Sequence, residues 1–135
     1  MLAVVDAGPL YATADADDDH HEVCRTVLSR ADLRLVVPAL VIAEATYFVG
    51  RRLGAGAESA FLHGLGSLDV EGPAREDFPR IAELVERYAN FPLGGTDASL
   101  VALAERIGAS VLVTLDRRHF AAVKPRHIES FQLLP

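Results

Sequence analysis

Short apolar runs that alternate with longer segments of helical period predict an α/β fold built on a parallel sheet with crossover helices. The first run, Leu2 to Asp6, is apolar up to its last residue, as expected of a strand covered on both faces. The clearest helical period lies near the middle of the chain, where Phe78, Ile81, Leu84, Val85 and Tyr88 fall on one face.

The elements follow in order. Gly8-Pro9 is read as a turn after the first strand. A helical stretch from Leu10 to about Asp15 leads into a polar run ending at His21, and a helix then extends to about Ala31. Leu33 to Val37 reads as the second strand, ended by Pro38. Ala39 to Arg52 is helical, broken by Gly54 and Gly56, and a further helix spans Ala57 to Leu65. Leu68 to Glu71 is a short third strand. In the next helix Asp77 is the expected N-cap, and Pro79 is tolerated in the first turn. Phe91 to Gly95 is a loop. Thr96 is the expected cap of a helix carrying the stripe Leu100, Val101, Ala104 and Ile107, and Gly108 stops it. Val111 to Leu115 is the fourth strand, and a last one lies in the tail, about Ile128 to Leu133.

The 135 residues are read as one domain, long enough to bury a core. Half are apolar and 24% charged, a globular balance. The longest uncharged apolar stretch, Leu35 to Ala43, is far short of the roughly 20 residues that span a bilayer. No basic segment precedes the first apolar run, so the cytoplasm is the expected compartment. The single cysteine, Cys24, excludes an internal disulfide and reads as a small buried hydrophobe. A net charge of −6 argues against a broad electrostatic grip on nucleic acid, but not against a nuclease that binds phosphate through a metal.

Four acidic residues stand out. Asp6 ends the first apolar run, and Asp116 closes the run Val111 to Leu115. In an open α/β sheet ligands bind outside the carboxyl ends of the strands, where strand order reverses. If these two strands are neighbours, both carboxylates face one crevice. Glu44 is the only charge between Ala39 and Val49 and shares a helical face with Leu40, Val41, Tyr47 and Phe48. Arg51 and Arg52 lie two turns away, beyond the favourable helical spacing for an ion pair. Asp97 sits in the first turn of its helix, where the helix dipole alone would explain it; the glycines before it also give a ligand close access to backbone. Taken singly, Asp6 and Asp116 are also ordinary turn residues. Together, unpaired acids brought into one place raise each other's pKa unless a cation neutralises them, and an all-oxygen set suits a hard divalent metal.

Other features have two readings each. Arg117, Arg118 and His119 directly follow Asp116; they would grip a phosphodiester or form a solvated loop. Thr114 and Thr96 can hydrogen-bond a ligand carboxylate or serve ordinary strand and capping roles. The run Asp17 to Glu22 lacks the alternating spacing and glycine of a calcium loop and reads as a solvated helix start. His63 and His127 show no partner pattern.

Four blocks then make the chain resemble the PIN-domain ribonucleases, and among them the VapC-type toxins of toxin–antitoxin pairs: Val5-Asp6-Ala7-Gly8-Pro9-Leu10, the glutamate in Val41-Ile42-Ala43-Glu44-Ala45, Thr96-Asp97-Ala98-Ser99-Leu100-Val101-Ala102-Leu103-Ala104-Glu105, and Thr114-Leu115-Asp116-Arg117-Arg118-His119-Phe120. The resemblance implies a three-layer α/β/α sandwich with a central parallel sheet, the first and fourth strands adjacent. It implies that Asp6, Glu44, Asp97 and Asp116 form one acidic pocket holding Mg2+ or Mn2+, with Asp6 and Asp97 as direct ligands and Glu44 and Asp116 acting directly or through water. Arg117, Arg118 and Thr114 are the expected substrate contacts. The implied activity is endonucleolytic hydrolysis of RNA by metal-activated water, leaving a 5′-phosphate. The implied partners are an antitoxin near Glu44, Tyr47 and Phe48 and a second copy of the chain in a larger complex. Many relatives carry an acid where Asn90 stands, so no extra ligand is expected there.

Three other readings compete. A receiver-like magnesium-binding signalling module would need an acidic neighbour of Asp6 and an aspartate after the third strand, where Val70-Glu71-Gly72 offers none. A dehalogenase-type phosphatase would need an aspartate at position 8, which is glycine. A catalytically inactive PIN-like scaffold would have little reason to keep all four acids.

Overall fold

The computed structural model describes residues 1–135. Five strands form one sheet: β1 (Leu2–Val5), β2 (Arg34–Pro38), β3 (Asp69–Glu71), β4 (Val111–Val113) and β5 (Gln132–Leu134). Their spatial order is β3-β2-β1-β4-β5, and every pairing is parallel. The chain steps outward from β1 to β3, then returns to lay β4 on the other side of β1. The order therefore reverses between β1 and β4, whose register pairs Val5 with Val113. A receiver-like module follows the order 2-1-3-4-5, so the topology removes that alternative.

Seven helices cover the sheet: α1 (Ala7–Ala14), α2 (His21–Leu28), α3 (Ala39–Leu53), α4 (Ala55–Leu65), α5 (Phe78–Arg87), α6 (Gly95–Ile107) and α7 (Arg117–Ala122). Parallel crossovers are right-handed, so the two directions of travel send α1–α4 to one face and α5–α7 to the other. The result is a three-layer α/β/α sandwich around 27 buried core residues, among them Val4, Val5, Val37, Leu112 and Val113 from the sheet and Leu100 and Leu103 from α6.

Several sequence expectations shift locally. Gly8-Pro9 does not turn the chain; it lies in the first turn of α1, where proline forfeits no helical hydrogen bond. The helix before β2 stops at Leu28 rather than near Ala31. Pro38 closes β2 from within, one residue further on. Only Gly54, at φ 91°, separates α3 from α4, and Gly56 lies inside α4. Gly94 rather than Thr96 is the N-cap of α6, with no side-chain cap. The α5 stripe is narrower than its period suggests: Ile81 and Leu84 are buried, while Phe78 stays 54% exposed. α6 is the reverse, with every residue from Ala98 to Ala104 buried. β4 ends at Val113, two residues early, and β5 starts later than the tail pattern implied. The Arg117–Ala122 segment is a helix, not a loop. Cys24 is buried, as expected, and burial raises its thiol pKa.

Candidate active site

Asp6, Glu44, Asp97 and Asp116 line one hollow of about 430 Å³ at the carboxyl ends of β1 and β4, together with Ala7, Gly8 and Leu115. Each arrives on a different element. Asp6 follows β1 and is the N-cap of α1, Glu44 lies on α3, Asp97 lies in the first turn of α6, and Asp116 is the N-cap of α7.

Asp6 is the most confined, at 8% exposure. Its Oδ1 accepts from the Ala7 N–H at 2.8 Å and its Oδ2 from the Thr114 hydroxyl at 2.8 Å. Burial raises its pKa; the two hydrogen bonds oppose that, and Asp116 adds to it. Thr114 is 1% exposed, and its oxygen also accepts from the Asp116 N–H at 2.9 Å. A single hydroxyl thus ties together the residues that follow two neighbouring strands. Thr114, expected as a substrate contact, is buried, with its hydroxyl engaged by the Asp6 carboxylate and the Asp116 N–H.

The carboxylates of Glu44 and Asp97 make no hydrogen bond and no ion pair, and that of Asp116 pairs only with His119. The Asp97 carboxyl is pushed up to about 6 by burial first and then by the charges of Asp6, Asp116 and Glu44, with His119 opposing. Glu44 is raised by partial burial and by Asp6. It is more exposed than its apolar sequence context suggests, because the face it shares with Tyr47 is open. Arg52, a candidate partner for it in sequence, stacks instead on the rings of Tyr11 and Phe48, at 5.1 and 4.8 Å.

The basic residues after Asp116 divide. Arg117 donates to the main-chain oxygens of Leu133 and Pro135 and so braces the C-terminal strand. Arg118 lies over the Phe91 ring, 5.5 Å from its centroid. His119 turns back onto Asp116; a helix at 117–122 with Asp116 at its N-cap produces that contact, and the aspartate-to-N3 spacing was its only trace in the sequence.

As the side chains lie, no three Asp, Glu, His or Cys groups stand close enough together to ligate one ion. Asp6 nevertheless feels the charge of Asp116, Glu44 that of Asp6, and Asp97 those of all three. The donor set is all oxygen, at least two of its members have no partner, and no arginine or lysine lines the hollow. That chemistry fits a magnesium-like ion, which keeps several waters and needs only one or two direct carboxylates. A larger hollow of about 610 Å³, between Leu10, Leu28, Phe61 and Leu65, has Arg25 as its sole charged residue and offers no comparable chemistry.

The fold and site define a PIN domain: that family matches residues 3–124, and the chain belongs to it. Within the family it belongs with the VapC ribonucleases, being 36% identical to Ribonuclease VapC26 of Mycobacterium tuberculosis across 98% of this chain and 99% of that one. Solved structures that share the fold include the following two. The Mycobacterium tuberculosis toxin VapC20, which cleaves the sarcin–ricin loop, superposes with a TM-score of 0.82 at 19% identity, over 94% of this chain and 98% of its own. A toxin–antitoxin complex from Klebsiella pneumoniae gives a TM-score of 0.71 at 16% identity, over 90% and 92%.

Proposed function

We infer that this chain is the endoribonuclease toxin of a toxin–antitoxin pair, and that Asp6, Glu44, Asp97 and Asp116 hold Mg2+ or Mn2+ to hydrolyse RNA phosphodiester bonds. One observation carries the site assignment: four acids from four separate elements line one hollow with no arginine or lysine among them. A related ribonuclease and a structurally similar RNA-cleaving toxin support the substrate class. When bound, a divalent ion lowers the pKa of its water and offsets charge on the phosphate. The chain's own contribution is positional. Asp6, locked by Thr114 and the Ala7 N–H, is the fixed point; Asp97 joins it as a direct ligand, and Glu44 and Asp116 complete the set directly or through water.

Arg118 is exposed two residues after Asp116 and is the basic residue available to meet RNA, since Arg117 is committed to the C-terminal strand. An antitoxin segment occupies the face near Glu44, Phe48 and Tyr47, the last 58% exposed, and brings a basic group to the acids. The toxin acts in the cytoplasm, as a homodimer within a larger complex; no helix is long and apolar enough to cross a membrane.

The test is cleavage of structured RNAs by the purified chain with Mg2+ or with a chelator, beside Asp6→Asn and Asp97→Asn. Cleavage should need the metal and fall by about 100-fold or more in each variant. Undiminished cutting by the double variant would end the assignment. An inactive scaffold would cut no RNA and bind Mn2+ weakly or not at all.

A further inference from the structure

Asp116 is held from two directions by one residue. The His119 main-chain N–H donates to Asp116 Oδ1 at 3.2 Å, and His119 Nδ1 lies 2.6 Å from Asp116 Oδ2. The first bond is the ordinary consequence of an N-capped helix. The second is not required for capping, and it engages the carboxylate oxygen that the cap leaves unbound. An acceptor carboxylate on Nδ1 sets the ring's proton on that nitrogen.

The imidazole is itself seated. It meets Phe91 edge-on, with ring centroids 5.0 Å apart and an interplanar angle of 65°. Arg118 covers the same Phe91 ring. Phe91 belongs to the connection between α5 and α6 that leads through Gly94-Gly95 to Asp97. A continuous set of contacts thus joins the loop before one acid of the hollow to the side chain of another.

We propose that His119 is a positioning residue of the cleavage site: its imidazole, braced by Phe91, presets the Asp116 carboxylate on the wall of the hollow for a divalent cation. This rests on the metal-site reading above. Asp116 is partly exposed and would otherwise sample several rotamers; ordering it beforehand removes that cost from cation binding. Hydrogen-bonded partners behind a ligand act in this way in metal sites generally.

Mn2+ titration calorimetry on the metal-free full chain tests the role, with His119→Ala, His119→Asn and Phe91→Ala beside the parent. Asparagine keeps a donor nitrogen near the place of Nδ1. His119→Ala should weaken Mn2+ binding about 10-fold, and His119→Asn should recover to within about threefold of the parent. Phe91→Ala should fall between them. In RNA cleavage the half-saturating Mn2+ concentration should rise in His119→Ala, with the KM for RNA at saturating Mn2+ unmoved. Parent-like Mn2+ affinity in His119→Ala would overturn the proposal. So would an equal loss in His119→Asn, provided that variant melts like the parent without metal. A parent that neither bound Mn2+ nor cut RNA would instead overturn the underlying metal-site reading.

Discussion

Helix α6 carries two partly buried acids with opposite fates. Near its C-terminal end, Glu105 receives both arms of the Arg80 guanidinium at 2.9 Å and the Arg126 N–H at 2.7 Å. Burial would raise its pKa, but the arginine and this N–H together hold it below the ordinary glutamate range. At the other end Asp97 has no partner, and its carboxyl rises to about 6. The two ends of one helix thus separate an acid matched by an arginine from an acid left unmatched beside the hollow. Unmatched charge next to a crevice is where function concentrates; matched charge tells little beyond the fold.

The contrast breaks most visibly at Arg80. Its side chain and that of Glu105 are each 9% exposed, so Arg80→Ala leaves a buried carboxylate without its guanidinium. Urea unfolding should show a loss of about 3–5 kcal/mol. RNA cleavage per folded molecule should hold, because the acids of the hollow are untouched.

The Asp97 end should respond to cations instead. Adding Mn2+ at about 100 times its Kd should raise unfolding stability by about 2.7 kcal/mol in the parent. The gain should vanish in an Asp6→Asn, Asp97→Asn double variant, measured by thermal melting against a chelator control.

The pH response sharpens the comparison further. The folded state binds the Asp97 proton more tightly than the unfolded chain does, so between about pH 4 and 6 it carries more protons. Stability from this group is therefore present at low pH and lost as pH rises through about 6, and the raised pKa values of Asp6 and Glu44 act in the same direction. Glu105, lowered, acts oppositely: its contribution is lost on acidification. In metal-free protein Asp97→Asn should gain about 1–2 kcal/mol at pH 7.5 and almost nothing at pH 4. Equal shifts at both values would show that neither burial nor neighbouring charge makes the Asp97 carboxylate costly.

The smallest effect belongs to Arg126→Ala. Its guanidinium meets Glu83 at 2.8 Å, with both side chains about half exposed, and its N–H bond to Glu105 survives the change. A loss under about 1 kcal/mol is expected by urea unfolding.

Much of this was legible in the chain. Five strands and most helices were readable because apolar runs and helical period are local properties, and the family resemblance supplied the neighbouring placement of β1 and β4. The α7 helix was hidden because Arg117-Arg118-His119 looks like a solvated loop until Phe120 is seen buried in the core. Exposure of Phe78 and full burial of Ala98–Ala104 were hidden because periodicity ranks the faces of a helix without saying how deeply any face is covered.

The residue types and order along the chain determined the α/β class, the four acids at or beside the ends of apolar elements and the hard-cation chemistry they suit, since these depend on composition and local pattern. Tertiary structure alone decided that Thr114 underpins Asp6, that Arg117 serves the last strand, that Arg52 stacks on aromatic rings and that His119 grips Asp116. Most of these partners lie far apart in sequence, and even the near pair of Asp116 and His119 meets only once a helix brings their side chains together. Which charge stays unmatched is therefore settled by geometry.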